Sequence, residues 1–361
     1  MGPGPCASSR IGEIRMPIPG FREFCRRREP GTGTARIQQS VSEEQQMAGW
    51  TKDDIPDQSG RTVLVTGGNA GLGYQTVLQL ARKGARVLLA ARDRARGAAA
   101  LERLGAEAPA SRAELVQLDL ADLASVERFS TAFLATGQGL DLLVNNAGVM
   151  AIPQRETTAQ GYERQFGTNH LGHFALTGRL LPAVLRRPGS RVVTVSSNRH
   201  KQASGIDFDD LQSEHSYRPW RAYDQSKLAN AMFVLELDRR LDAAGLDVVS
   251  AGAHPGFAAT NLQFTGPRSG GTRFGARALG VATRLVAQPA SDGALPLLYA
   301  ATAETVHGGE YFGPGGAGER RGRQPKLVQF SPAAHDKAAA ARLWAVSEEL
   351  TGVTFETLTT R

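Results

Sequence analysis

Residues 62–76 read TVLVTGGNAGLGYQT, an apolar stretch that runs into a glycine-rich turn and then into residues suited to a helix. Two interpretations of this turn compete. Its backbone N–H groups and the start of the following helix could form a phosphate site, whereas glycines also make ordinary tight turns. The strand before the turn and the helix after it favour the phosphate site.

The alternation of strand and helix continues along the chain beyond Gly60. Short apolar stretches begin near positions 61, 86, 113, 140, 190 and 246, and longer segments with helical spacing separate them. Because these stretches are apolar on both faces, we expect a parallel sheet covered by helices on both sides. Right-handed connections make this a doubly wound α/β fold, with ligands at the carboxyl ends of the strands.

Composition excludes several classes of protein. The 361 residues are 41% hydrophobic but only 6% aromatic, which indicates a globular protein with an aliphatic core. The net charge is +7, yet the basic residues form no stripe with interleaved aromatics, so we expect no nucleic-acid partner. No apolar stretch approaches the roughly 18 residues of a membrane span, so we expect no membrane partner. Cys6 and Cys25 provide no disulfide framework for the core, which suits a cytoplasmic protein.

The chain divides into a tail and a domain. Residues 1–46 are rich in Gly, Pro and Arg without a sustained period, and we interpret them as a disordered or spurious extension before a natural start at Met47. Residues 47–361 are expected to form one domain. Its cofactor-binding half spans about 60–150, its catalytic and substrate half about 151–315, and a C-terminal helix about 335–351.

The spacing of the glycines distinguishes between kinds of phosphate site. A nucleotide-triphosphate loop would need Lys and Ser or Thr where Tyr74 and Gln75 stand. The common dinucleotide pattern G-x-G-x-x-G is also absent. Residues 66–73 instead follow the pattern TGxxxGxG.

This pattern resembles the cofactor turn of the short-chain dehydrogenase/reductase family. Further motifs of the family follow in order: NNAG at 145–148, Asn169, Ser196-Ser197 after the fifth strand, YDQSK at 223–227 and PGFAAT at 255–260. The resemblance covers about residues 60–315 and implies a single Rossmann-type domain. The 25 residues between Ser197 and Tyr223 resemble the branch that holds retinol dehydrogenases, WW-domain oxidoreductases and protochlorophyllide reductases.

Four residues are the expected catalytic group. Tyr223 and Lys227 lie four apart, so on a helix both project from one face. A free tyrosine has a pKa near 10, which a nearby ammonium and the positive charge of oxidised nicotinamide would lower, making Tyr223 a general acid and base. The resemblance implies that Lys227 holds the nicotinamide ribose, that Asn169 anchors a water in a proton relay, and that Ser197 rather than Ser196 binds the substrate oxygen.

The resemblance also implies a cofactor site. Its residues are Gly67, Asn69, Gly71, Leu72, Gly73, Arg92, Asp119, Leu120, Asn146, Ala147, Gly148, Tyr223, Lys227, Pro255, Gly256 and Thr260. The second strand ends in Ala-Ala-Arg92-Asp93, where Arg92 suits the 2′-phosphate of NADP and Asp93 stands slightly late for the ribose of NAD. We therefore expect NADP, with NAD left open. His254 has no partner at ligand spacing, so we interpret it as structural and expect no metal.

The predicted function is an NADP-dependent oxidoreductase that interconverts a carbonyl and an alcohol on a hydrophobic small molecule. The alternative is a non-catalytic NAD(P)-binding sensor or scaffold on the same fold. The branch does not determine the substrate, and a homodimer is left open.

Overall fold

The computed structural model describes Met47 and residues 49–257 and 288–358, all within one compact unit, Glu44–Arg361. The predicted extension at 1–46 lies outside the described residues.

Eight strands form one sheet. They are β1 (Thr62–Thr66), β2 (Arg86–Ala91), β3 (Arg112–Gln117), β4 (Leu142–Asn145), β5 (Ser190–Val195), β6 (Val248–Ala253), β7 (Tyr311–Pro314) and β8 (Pro325–Leu327). Their order in the sheet is β3-β2-β1-β4-β5-β6-β7-β8, and all neighbours are parallel except β7 and β8. The predicted doubly wound parallel sheet is confirmed, although β7 and the antiparallel β8 were not predicted.

Helices cover both faces of the sheet. They are α1 (Gly71–Arg82), α2 (Arg94–Glu107), α3 (Leu123–Ala135), α4 (Arg164–Phe166), α5 (Gly172–Val184), α6 (Pro219–Ala243), α7 (Ala290–Gly293), α8 (Leu295–Thr302) and α9 (Lys337–Thr351). A π-helical turn, Gly167–Leu171, joins α4 to α5. The helical segment between β4 and β5 therefore changes from α-helix to π-helix and back to α-helix.

The alternation of side chains along β1 explains the two-sided core. All five residues of β1 are buried. Val63 and Val65 pack into the apolar cluster that includes residues of α1 and α8, and Leu64 packs into the cluster that includes residues of α5 and α6. Successive strand residues point to opposite faces, so both faces must be apolar. The edge strand β3 differs, since none of its six residues is buried.

The order of the strands determines where a ligand would bind. The chain leaves β1 for β2 on one side, and β4 later pairs with β1 on the other. The connections at the carboxyl ends of β1 and β4 diverge at this point, which opens a crevice above the sheet. The glycine turn after β1 lies at its edge.

Candidate active site

The glycine turn is built to approach a ligand closely. Gly67 has φ +65°, a left-handed conformation that glycine adopts without strain. A Cβ atom on Gly73 would lie 2.3 Å from the Gly67 carbonyl oxygen and 2.5 Å from Asn146 Nδ2, so helix α1 packs directly on the turn. Ala70 precedes α1 and provides no side-chain cap. The first N–H groups of α1 are thus left for an anion, and the turn fits a dinucleotide pyrophosphate.

Thr66 ties the ends of β1 and β4 together. Its Oγ1 accepts hydrogen bonds from the backbone N–H groups of Asn146 (2.8 Å) and Ala147 (3.0 Å), and its carbonyl accepts one from Asn146 Nδ2 (2.7 Å). Thr66 Oγ1 also lies 2.9 Å from His173 Nε2. The NNAG segment is therefore fixed to the glycine turn, and Thr66 and His173 are contacts that the sequence analysis missed.

Arg92 and Asp93, the two residues after β2, differ in their hydrogen bonds. Asp93 caps helix α2, because its Oδ1 accepts a hydrogen bond from Arg96 N at 3.0 Å. The Arg92 side chain is exposed and makes no hydrogen bond within the described part of the chain. The Asp93 carboxylate, which would have to bind the ribose of NAD, therefore serves as a helix cap.

The end of β3 is held by local hydrogen bonds. Asp119 Oδ1 accepts from Ala121 N at 3.0 Å, and Asp119 N donates to Ser125 Oγ at 3.1 Å. Leu120, the next residue, is buried. These two predicted cofactor-site residues follow β3, which pairs with β2.

Asn169 lies in the π-helical turn, fully buried. Its Oδ1 accepts from Val149 N (2.8 Å), and its Nδ2 donates to Val149 O (2.9 Å) and Ser226 Oγ (2.9 Å). Both N–H groups of the side-chain amide therefore have acceptors. The backbone carbonyl of Asn169 accepts a hydrogen bond from His173 Nδ1. The residue joins the segment after β4 to helix α6, which carries Ser226.

The two serines after β5 have different roles. Ser196 is buried, and its Oγ donates to the carbonyl of Lys227 at 2.7 Å. Ser197 is only partly buried, and its Oγ accepts from Arg199 N at 3.2 Å. The buried hydroxyl of Ser196 already donates its hydrogen bond to Lys227, which supports the choice of Ser197 as the residue that binds the substrate oxygen.

Helix α6 carries Tyr223 and Lys227, and both side chains are buried. Lys227 Nζ donates to the Val195 carbonyl at 3.1 Å and lies 5.8 Å from the centre of the Tyr223 ring. A Cβ atom on Gly148 would lie 3.1 Å from Asn169 Oδ1 and 3.7 Å from Lys227 Nζ. The structure therefore brings Tyr223, Lys227, Asn169 and the NNAG segment together.

The pKa values of Tyr223 and Lys227 differ from those of the free side chains. Burial raises the pKa of Tyr223 to about 12; hydrogen bonding to Ser197 and the charge of Arg199 oppose the rise, and Asp224 adds to it. Burial lowers the pKa of Lys227 to about 8. Burial is the largest cause of both shifts, because loss of hydration penalises each charged form, and the predicted lowering of the tyrosine pKa also requires the oxidised cofactor.

The corner after β6 carries the last predicted contacts. His254 follows β6 directly, Pro255 and Gly256 come next, and Gly256 has φ +62°. Thr260 lies outside the described residues. His254 is buried, and its Nε2 lies 3.2 Å from Glu319 Oε2, a partner 65 positions away that the sequence could not reveal.

Two further findings concern other kinds of site. Across Met47, 49–257 and 288–358, no cluster of His, Cys, Asp and Glu could hold a metal ion. Over the same residues, none of the helices is both long enough and apolar enough to span a bilayer.

Comparison with known proteins identifies the family. Residues 61–266 match the family model described as short chain dehydrogenase. The chain belongs to the short-chain dehydrogenase/reductase family. Polyprenol dehydrogenase of Mus musculus is 43% identical over 304 residues, covering 82% of this chain and 86% of that protein. Retinol dehydrogenase 13 of Homo sapiens is 40% identical over 309 residues, covering 84% and 87%.

Solved structures agree with this membership. A crystal structure of an uncharacterised protein from Mycobacterium paratuberculosis is 42% identical, with a TM-score of 0.69, and covers 85% of this chain and 99% of that one. A complex of Pseudomonas aeruginosa RhlG with NADP is 25% identical, with a TM-score of 0.54, covering 70% and 94%.

Membership defines the general chemistry. This short-chain dehydrogenase/reductase is an enzyme that uses a nicotinamide cofactor, NAD or NADP, to interconvert carbonyls and alcohols.

Proposed function

We propose that this enzyme uses NADP(H) to interconvert an apolar alcohol, of isoprenoid type, and its aldehyde or ketone, with Tyr223 as general acid and base. The observation that carries the proposal is the grouping of Tyr223, Ser197, Lys227 and Asn169 at the carboxyl ends of β4 and β5, beside the glycine turn.

The proton role of Tyr223 follows from its position and state. In reduction, nicotinamide supplies the hydride to the carbonyl carbon when it is bound. Ser197 orients the carbonyl oxygen and Tyr223 donates its proton to it, so the oxygen becomes the alcohol. A pKa near 12 keeps Tyr223 protonated at neutral pH, which suits the acid role in reduction. In oxidation the phenolate is needed, and the positive charges of Lys227 and of oxidised nicotinamide together would offset the effect of burial.

The preference for NADP is supported by the end of β2. An acid that binds the ribose of NAD should be free to accept from its hydroxyls. Asp93 instead caps helix α2. Arg92, exposed beside it, can pair with a 2′-phosphate through charge-assisted hydrogen bonds.

The apolar substrate is supported by an aromatic residue near the tyrosine. Trp220 is 48% exposed, its ring centre lies 6.2 Å from that of Tyr223, and the guanidinium of Arg199 stacks on it at 4.5 Å. An exposed indole beside the reacting group favours apolar ligands. The names of two similar proteins refer to retinol and polyprenol, which are both isoprenoid alcohols.

Location and partners stay predictions. We infer a cytoplasmic enzyme whose partner is its small-molecule substrate, with a homodimer open. The support is a sequence without cysteines after Cys25 and without a basic, aromatic stripe.

A cofactor-oxidation screen tests the function. The purified protein is mixed with NADPH or NADH and with matched carbonyls, such as retinal and farnesal against glyceraldehyde and pyruvate. We expect NADPH oxidation with the isoprenoid aldehydes and little with the polar ones. Binding of NADPH without turnover of any carbonyl would contradict the proposal and favour the sensor.

A further inference from the structure

The corner after β6 is packed on the connection between β7 and β8. Gly256 N donates to His254 Nδ1 at 3.2 Å, and Phe257 N donates to the Arg320 carbonyl at 2.7 Å. A Cβ atom on Gly256 would lie 2.6 Å from that carbonyl oxygen. The path of Pro255–Phe257 therefore depends on where residues 315–324 lie.

The hydrogen bonds of His254 determine its tautomer, and its burial determines its charge. Since Gly256 N–H is the donor, Nδ1 must accept, and the ring proton sits on Nε2, directed at Glu319 Oε2 3.2 Å away. The side chain is wholly buried, and burial lowers its pKa, so it stays neutral. The hydrogen bond from His254 and the contact with Lys201 lower the pKa of Glu319 to about 2, so it stays charged.

Glu319 occupies a backbone conformation that side chains rarely adopt. Its φ is +55°, and this conformation is unfavourable for residues other than glycine. Lys201 Nζ donates to both carboxylate oxygens at 2.9 Å, and Asn198 Nδ2 donates to the Gly318 carbonyl at 3.2 Å. Both donors belong to the turn that follows Ser197. The connection between β7 and β8 thus contacts both the turn after Ser197 and the corner after β6.

We propose that His254, Glu319 and Lys201 form a brace that positions the Pro255–Gly256 corner against the nicotinamide end of the cofactor. The proposal rests on the proposed function, because it takes the Pro255–Gly256 corner, which the family resemblance assigns to the cofactor site, as the part of that site that contacts nicotinamide. The three are positioning residues: His254 holds the Gly256 N–H, Glu319 holds His254, and Lys201 holds Glu319 to the turn after Ser197.

The test compares two ligands that differ only in the nicotinamide. NADPH and 2′-phospho-ADP-ribose share the adenosine, the phosphates and the second ribose, and titration calorimetry measures the Kd of each. Glu319→Gly removes the carboxylate and also relieves the backbone strain, so Tm should change little. We expect its Kd for NADPH to rise about tenfold, the loss expected for one charged hydrogen bond, and its Kd for 2′-phospho-ADP-ribose to stay within twofold.

Further variants resolve the steps of the brace. His254→Leu leaves the Gly256 N–H without an acceptor and should weaken NADPH binding at least as much as Glu319→Gly. His254→Asn can accept from the N–H two residues on and should retain more affinity. Lys201→Met should weaken NADPH binding and Lys201→Arg should restore it. Lys83→Met is the control, since Lys83 is a surface lysine that donates to the Asp53 carbonyl.

The outcomes separate the brace from the proposed function. If the wild type binds NADPH but Glu319→Gly and Lys201→Met leave both Kd values unchanged, or raise both equally, the brace is overturned and the proposed function stands. If the wild type binds neither ligand, the proposed function and the brace both fall.

Discussion

Gly73→Ala should destabilise the protein although alanine favours helices. The substitution places a Cβ atom 2.3 Å from the Gly67 carbonyl oxygen and 2.5 Å from Asn146 Nδ2. Ordinary contact begins near 3.4 Å, so the carbonyl must move by about 1 Å in a close-packed turn. Helix propensity contributes about 1 kcal/mol in favour of alanine. Overpacking costs about 1–3 kcal/mol, at the upper end here because backbone must move, so we expect a net loss of about 1–2 kcal/mol.

Urea unfolding and NADPH titration measure the two effects of this change. The free energy of unfolding should fall, and the Kd for NADPH should rise because the displaced carbonyl belongs to the phosphate-binding turn. Gly105→Ala is the matched control: Gly105 is also in a helix, but its added Cβ would meet nothing within 4 Å, so stability should rise by up to about 1 kcal/mol. If Gly73→Ala is as stable as Gly105→Ala and binds NADPH normally, the close packing of α1 on the turn is wrong.

Three other predictions follow from the described residues. Deleting residues 1–46 should leave Tm and NADPH affinity unchanged, because the first described strand begins at Thr62; a large fall in Tm would contradict this. Arg92→Ala should weaken NADPH binding by about 1.5–3 kcal/mol and leave NADH binding unchanged, and equal Kd values for wild type and variant would remove the support for NADP. Burial lowers the pKa of His170 to about 3 and of His173 to about 4, so stability should be full above pH 6.5 and decline as the pH falls towards these values.

The loss of stability in acid can be worked out from these pKa values. At pH 5, 1.5 units below the ordinary histidine pKa, each of these two buried neutral rings should cost about 2 kcal/mol of stability. Urea midpoints measured between pH 7.5 and 5 test this. His173→Asn should show a smaller decline than the wild type, and an identical decline would show that His173 does not titrate as described.

Much of the fold could be predicted because local pattern and tertiary structure agree in it. The buried strand at 62–66, the turn at 67–70 and the helix after it are each specified by neighbouring residues, and the pair Tyr223 and Lys227 needs only a helix to share a face. The choice between Ser196 and Ser197 came from the resemblance, and the hydrogen bond of Ser196 to the Lys227 carbonyl supplies a physical reason for it.

Features that depend on distant contacts were missed. Strands β7 and β8 are four and three residues long and contain prolines, so their own sequences carry little strand signal. The π-helical turn at Asn169 is specified by contacts with Val149 and Ser226 rather than by helical propensity. His254 was judged from its sequence neighbours, whereas its partner Glu319 is far along the chain.

The rise of the Tyr223 pKa in the protein without its cofactor could not be predicted for a related reason. The spacing of a tyrosine and a lysine shows that their charges interact, but it does not show how far both are buried. In the structure both are almost fully buried, and the loss of hydration dominates.

Turnover by Tyr223→Phe tests the central claim most directly. The variant keeps the ring that packs beside Trp220 and removes only the hydroxyl, so Tm and the Kd for NADPH should match the wild type. With the carbonyl that the wild type reduces fastest, kcat should fall by about 10²–10⁴-fold, the usual contribution of general acid catalysis. If NADPH binding and fold are retained and kcat stays within a few-fold of the wild type, the proton comes from another group and the proposed mechanism is wrong.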